Sequence, residues 1–363
     1  MRISRRGPGA YKVALGVATA GVMLAAAACS SSPSGSGGGS GSSTINGAGS
    51  TFAAPMYQQW AGQYHQNVNS KVQINYQAIG SGGGIAEFTQ GVVDFGATDA
   101  PMSATEQSAA QAGQGSIVLH IPMIIGAVAI IYNEPAIKHL VLDGPTLANI
   151  WLGKIAKWND PAIKKLNPGL TLPSAAIQPV ERADSSGTSF AFTSYLSEIS
   201  PTWASQVGAS KAPSWPVGTG ATGTSGVAAA VQQTAGSIGY AELGYAITGH
   251  IPYASLVNSS GKAVAPSLAS TEAAAANATY PTDVTKLTFS LNNSSSSAAY
   301  PLVTPTYILI AQTPKDKAKG KALKGWLTWA LQPAQQNATP KLGYAPLPSK
   351  LLSLDLAALK TVH

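Results

Sequence analysis

Apolar and polar residues follow two different rhythms along this chain. At Val72-Gln-Ile-Asn-Tyr-Gln-Ala-Ile79 they alternate as in a strand with one buried face. The spacing predicts a helix over Ala53–Asn67 before it, and a shorter one over Ile85–Gln90 after a glycine turn. Ile117–Tyr132 is almost wholly apolar and rich in β-formers, interrupted by Pro122 and Gly126, and reads as buried strand material. Leu147–Leu152 and Pro161–Leu166 predict short helices, Ser237–Tyr240 and Tyr307–Ile310 further buried strands, and Ala318–Leu331 a helix with one apolar face. Strands alternating with helices predict an α/β protein whose sheets are covered by helices. Ser255–Ser297, rich in Ala, Ser, Asn and Thr, reads as an elaborated surface region, and no internal repeat is visible.

The first 43 residues do not belong to that pattern. Arg2, Arg5, Arg6 and Lys12 precede an apolar run, Val13–Ala28, that is shorter than the roughly 20 residues needed to span a bilayer. Residues 1–28 therefore read as an export signal. Ala26-Ala27-Ala28 leads into Cys29, the only cysteine, in the manner of a bacterial lipoprotein processing site. A solitary thiol there is expected to be acylated, the alternative being ordinary signal cleavage with an incidental cysteine. Alanine rather than leucine at position 26 weakens the match, and Ser4-Arg5-Arg6 leaves the export route open between general secretory and twin-arginine. Residues 29–43 continue as a Gly/Ser tether unable to build a core. Two acyl chains on Cys29 would suffice for stable anchoring.

Charge changes meaning once the signal is set aside. The full chain has 22 Lys+Arg against 15 Asp+Glu; without the four basic residues of the signal it has 18 against 15, a net charge of +3. No dense basic stripe remains, which argues against nucleic-acid binding. About 320 residues follow the tether, more than one core usually holds, so two lobes are expected. Neither a Walker A string nor a Gly-x-Ser-x-Gly elbow is present. The five histidines, His65, His120, His139, His250 and His363, lack ligand spacing, so neither metal nor other cofactor is expected. Gly218-Thr-Gly-Ala-Thr-Gly223 resembles a dinucleotide fingerprint as a string, but Pro213 and Pro216 occupy the strand that should precede it.

Candidate chemistry gathers around Arg182, the only arginine after the signal. Its guanidinium offers a planar fork of donors suited to a carboxylate or a phosphate, which lysine does not. Asp184 follows, then a Ser186-Gly187-Thr188 turn that opens a helix-like stretch. Unpaired N–H groups and the positive end of a helix dipole make such a turn an oxyanion site. An Arg182–Asp184 surface pair beside an ordinary Ser N-cap is the competing reading. Thr51 and Phe52 precede a helix with Pro55 in its first turn, and Ser81 lies in the glycine turn Gly80–Gly84 between strand and helix. Ser103 and Glu106 form a capping box, which leaves Asp99 free of capping duty, although a lone aspartate in a turn is usually an Asx-turn or cap.

Together, GAGSTFAAPMYQQW, INYQAIGSGGGIAEF, VDFGATDAP, LANIWLGKIAKWND, ERADSSGTSFAFTSYL, SIGYAE and PTYILI resemble the PstS family, phosphate-binding proteins that serve ABC importers. The similarity runs from about Thr44 to about Pro348 in the family's order and spacing. It implies a two-lobed periplasmic-binding-protein fold of type II, each lobe a sheet flanked by helices. Lobe 1 is expected over 44–124 and 302–363 and lobe 2 over 125–301, with crossovers near Pro122–Gly126 and Tyr300–Thr304. The family's phosphate site falls on Thr51, Phe52, Ser81, Asp99, Arg182, Asp184, Ser186, Gly187 and Thr188. Asp99 then accepts the proton that phosphate carries at neutral pH and sulfate lacks. Glu181, where a basic residue can occur in relatives, is expected to alter the field at the cleft rim.

The implied protein is a monomeric receptor rather than an enzyme, lipid-anchored on the extracytoplasmic face, with inorganic phosphate and ABC permease subunits as partners. Three other readings compete: a receptor for another oxyanion, a secreted phosphatase, and an adhesin or signalling protein that needs no solute. Asp99 argues against the first, the want of a metal cluster or activated nucleophile against the second, and the sole arginine beside convergent glycine turns against the third.

Overall fold

The computed structural model describes residues 42–363; the expected signal, Cys29 and nearly all of the tether lie outside the described residues. A β-α-β-α-β run comes first: β1 (Ser43–Gly49), α1 (Ala54–Asn67), β2 (Val72–Ala78), α2 (Ser81–Gln90) and β3 (Phe95–Thr98). β1 pairs in parallel with both β2 and β3. The alternation in β2 is the cause of its placement, with Val72 and Ile74 buried and Gln73 and Asn75 exposed. α1 takes Pro55 in its first turn, where the missing N–H is no loss, and buries Met56, Tyr57, Trp60 and Tyr64.

α2 begins at Ser81, four residues before the helix expected from composition. Gly80, at φ +87°, is the cap, and the remaining glycines form the first helical turn. Their purpose is proximity: a Cβ on Gly84 would overlap the Ala48 carbonyl, and one on Gly82 the Ser185 side chain. The chain continues through α3 (Ala104–Gln114), whose Ser103–Glu106 capping box forms as expected, into β4 (Val118–Asn133). All of β4 but its last residue is buried.

The middle of the chain contributes β5 (Val141–Leu142), α4 (Gly144–Trp151), α5 (Pro161–Leu166), β6 (Gln178–Arg182), α6 (Gly187–Ile199) and α7 (Pro201–Gln206). Next come β7 (Thr219–Ala221), α8 (Gly223–Gln233), β8 (Ser237–Glu242), α9 (Leu243–Thr248), β9 (Ser255–Val257), β10 (Ala263–Val264) and α10 (Leu268–Ala276). The return is through β11 (Val303–Ala311), α11 (Lys317–Ala330), α12 (Pro333–Gln336), a 3-10 turn at Thr339–Leu342, and α13 (Ser349–Lys360).

The main sheet has the order β2-β1-β3-β11-β4-β8-β6-β7, beside a small sheet β10-β9-β5. β4 serves two groups of strands in turn. It pairs antiparallel with β11 from Val118 to Ala127 and with β8 from Val128 to Asn133. The result is a two-lobed α/β fold in which each lobe is a sheet flanked by helices. Pro122 does not break β4, because the register slips there: Thr306 faces Ile124 and Tyr307 faces Pro122. A residue without an N–H is tolerated at such a bulge.

Ser255–Ser297 differs from the surface region expected. Leu256, Ala274, Ala275, Tyr280, Leu287 and Leu291 from this stretch are buried in the core, and α10 packs on β4. Small side chains let that helix lie close to the strand. Its polar groups are answered locally, Ser270 Oγ by the Ala265 carbonyl and Thr271 Oγ1 by that of Ser267.

Candidate functional site

Five chain turns meet where the two lobes touch. Asp99 directly follows β3 and is 2% exposed. Ser50 Oγ donates to its Oδ1 at 2.5 Å and itself accepts from Ala53 N–H at 3.1 Å. Ser81 Oγ, at the first position of α2, lies 3.5 Å from Oδ2 and accepts from Asp99 N–H at 3.2 Å. Burial pushes the Asp99 carboxyl up to about 7, against the lowering effects of Ser50, Arg182 and Ser81.

Arg182 ends β6 and is 4% exposed. Its N–H donates to the Tyr240 hydroxyl at 3.0 Å, and Tyr240 stacks on Phe192 at 4.6 Å, so aromatic packing fixes the strand end. The guanidinium forks onto Asp184, Nε to Oδ1 at 2.7 Å and Nη2 to Oδ2, while Nη1 lies 3.4 Å from Thr224 Oγ1. Burial raises the Asp184 carboxyl, but the Arg182 bonds and charge and the Gly223 N–H at 2.9 Å outweigh it and hold it below the usual range.

α6 brings the remaining donors. Ser186 caps it by accepting from Ser189 N–H at 3.1 Å, and Gly187 and Thr188 form the first turn. A Cβ on Gly187 would crowd the Ser81 hydroxyl and the Asp99 backbone, so only glycine lets the two lobes come this close. Thr188 Oγ1 is buried and has no hydrogen-bond partner among the described residues. On the opposite flank Thr51 Oγ1 lies 2.9 Å from Thr224 Oγ1 and accepts from Thr224 N–H at 3.2 Å. A buried guanidinium, several hydroxyls and the first turns of α2 and α6 thus lie together where the lobes meet, an arrangement of donors that suits an anion.

The structure brings Thr51, Ser81, Asp99, Arg182, Asp184, Ser186, Gly187 and Thr188 together. The Phe52 ring turns away into the core against Gly126 and Tyr344, and its carbonyl accepts from Tyr344 Oη at 2.6 Å. Ser50, Gly223, Thr224 and Tyr240 were not anticipated. A signal existed for two of them: the Gly218–Gly223 string contains β7 itself, past both prolines, and ends at the start of α8. Glu181 is not at the cleft rim. Strand alternation turns it away from Arg182; it is 7% exposed, packs against Gly218, and burial pushes its carboxyl up to about 7. Among the described residues no cluster of three His, Cys, Asp or Glu is placed to hold a metal.

A family model described as a PBP superfamily domain matches residues 34–334. Among curated relatives, the phosphate-binding protein PstS of Xylella fastidiosa is 42% identical over 310 residues, covering 85% of this chain and 82% of the relative. That of Pasteurella multocida is 41% identical over 320 residues, covering 88% and 90%. The chain belongs to the PstS family. Solved structures share the fold at lower identity. A high affinity periplasmic phosphate-binding protein bound with phosphate at pH 8.5 matches with a TM-score of 0.71 and 22% identity, over 87% of this chain and 93% of the other. A phosphate-binding protein from Stenotrophomonas maltophilia matches with a TM-score of 0.69, also at 22% identity and over the same shares. No helix among the described residues is long and apolar enough to cross a membrane.

Proposed function

We propose that this chain captures inorganic phosphate between its lobes and delivers it to the permease subunits of an ABC importer. The observation that supports this most is Asp99, a buried carboxyl set among donors otherwise suited to an anion. A carboxylate in that position repels a fully deprotonated oxyanion but accepts a hydrogen bond from one that carries a proton. Phosphate at neutral pH carries one. Thr51, Phe52 through its backbone, Ser81, Arg182, Ser186, Gly187 and Thr188 supply donors, and Asp184 orients the guanidinium.

The lobes divide near 44–124 with 302–363 against 125–301. Their motion is taken up where β4 changes partner after Ala127 and where the chain returns ahead of Val303. Cys29 carries lipid after removal of residues 1–28, and the tether lets a monomeric receptor reach its permease from the extracytoplasmic face. The protein binds and releases its ligand without turning it over, a reading supported by its similarity to phosphate-binding relatives.

Calorimetry on the full chain with phosphate and with sulfate tests the reading. Saturable phosphate binding with no heat from sulfate is expected. Equal affinity for both would replace it with a general oxyanion receptor, and no binding of either would remove it.

A further inference from the structure

We infer that Lys211 and Glu106 form a clasp between the lobes that sets how slowly captured phosphate escapes. The inference rests on the reading above, and neither residue belongs to the proposed binding set. Glu106 lies in the first turn of α3, whereas Lys211 lies between α7 and β7, 105 positions along the chain. Lys211 Nζ donates to Glu106 Oε2 at 2.6 Å, with the two side chains 13% and 29% exposed. At that depth solvent screens the pair less than on an open surface, and opening the lobes returns both charges to water.

Two further contacts distinguish this pair from an ordinary surface bridge. The same Oε2 accepts from Ser103 N–H at 2.8 Å in the capping box, so the carboxylate is positioned by its own lobe. Burial raises the Glu106 carboxyl, yet its bonds to Lys211 and Ser103 hold it below the usual range, and it is charged at neutral pH. On the other side, the Lys211 carbonyl accepts from Ser186 N–H at 2.8 Å. Ser186 caps the turn that presents Thr188. Lys211 therefore grips one lobe with its side chain and holds the anion-facing turn of the other with its backbone. His120 adds no competing charge, because burial pushes its imidazole down to about 4 and its Nε2 accepts from Met102 N–H. A contact made only when the lobes meet stabilises the closed state alone, so it acts on release rather than on encounter.

The test compares release of radiolabelled phosphate from the full chain into excess unlabelled phosphate for the parent, Lys211→Met, Glu106→Gln and the double variant. Methionine keeps an apolar stem, and glutamine keeps the capping acceptor. Release from each single variant is expected to accelerate by roughly fivefold to thirtyfold, between the effects of exposed and fully buried pairs. Association should change little, and the double variant should release no faster than the singles. Added salt should speed release from the parent but not from the variants, and Lys211→Arg should restore slow release if Lys211→Met disturbs folding. Parental release rates in both single variants, or effects that simply add in the double, would overturn the clasp alone. A parent chain that does not retain phosphate would overturn both this inference and the function on which it rests.

Discussion

Removing the Arg182 guanidinium is the most direct challenge to the anion cradle. Two of its three nitrogens bond Asp184, and the third lies 3.4 Å from Thr224 Oγ1 in a side chain that is almost fully buried. Arg182→Ala deletes these donors and strands the Asp184 carboxylate, left with the Gly223 N–H, beside the volume where an anion must sit. Truncating one member of a buried charge pair costs about 2–5 kcal/mol, much of it the penalty on the charge left behind. Phosphate affinity should therefore fall by roughly 30-fold to 4,000-fold, at tenfold per 1.4 kcal/mol. The double variant Arg182→Ala/Asp184→Ala separates the two contributions, because it removes the stranded charge and should recover part of the loss. Arg182→Lys keeps the charge without the fork and should remain well below the parent. Calorimetry at one salt concentration reads all three, with thermal unfolding confirming that each variant is folded. A loss below about tenfold would move the weight to the helix termini. A double variant that binds no better than Arg182→Ala would refute the stranded-carboxylate account.

Asp99→Asn removes the repulsion at constant size and should narrow the gap between phosphate and sulfate in competition calorimetry, with arsenate still competing in the parent. Because the Asp99 carboxyl is pushed up to about 7, sulfate should bind the parent better as pH falls through that value, and Asp99→Asn should abolish this dependence; an unchanged preference in the variant would assign selectivity to cleft size. Asp355 on α13 is fully buried with neither carboxyl oxygen hydrogen-bonded among the described residues, and burial pushes it well above the usual range. The folded chain then keeps a proton that the unfolded chain loses, so this group's effect is most favourable below the ordinary carboxylate range and worsens as pH rises toward the folded value. Asp355→Asn should raise the unfolding midpoint progressively more as pH rises above the ordinary carboxylate range, and a pH-independent difference would contradict the assignment. Cys29→Ala should release the protein from membranes or leave an uncleaved precursor, and undiminished lipid labelling of the variant would exclude Cys29 as the anchor.

Features governed by near neighbours were legible before the structure. The alternation of β2, Pro55 at the head of α1 and the Ser103–Glu106 box depend on residues a few positions apart. Features governed by distant ones were not. The early start of α2 follows from the closeness of Gly84 to the Ala48 carbonyl of another strand, so glycines that suggest a loop instead let a helix approach a sheet. Pro122 could stay within β4 because the slip lies in a partner strand some 180 positions on. At the candidate site the exceptional residue types stood out: a solitary arginine, and an aspartate free of capping duty. Ser50 and Thr224 are ordinary residues placed by pairing. The Ser50 N–H bond to the Ala97 carbonyl sets the first beside Asp99, and the pairing of Arg182 with Ala221 brings the second under the guanidinium.

The use of β4 by both lobes has a consequence for how the chain is made. The sheet that begins with β2, β1 and β3 is completed by β11, so it is assembled from the two ends of the polypeptide. Tyr57 Oη meets Thr306 Oγ1 across 249 positions, Asp94 meets Lys319 across 225, and Tyr344 Oη reaches the Phe52 carbonyl across 292. None of these contacts can form until the last part of the chain leaves the ribosome. At about 5–20 residues per second, the final 60 or so take roughly 3–12 s. Closing such long loops is slow even then, because entropy is lost before the contacts repay it. β1, β2 and β3 can pair with one another early, but the edge of β3 that β11 covers stays open throughout synthesis, and this part of the sheet is completed only when the whole chain has been made.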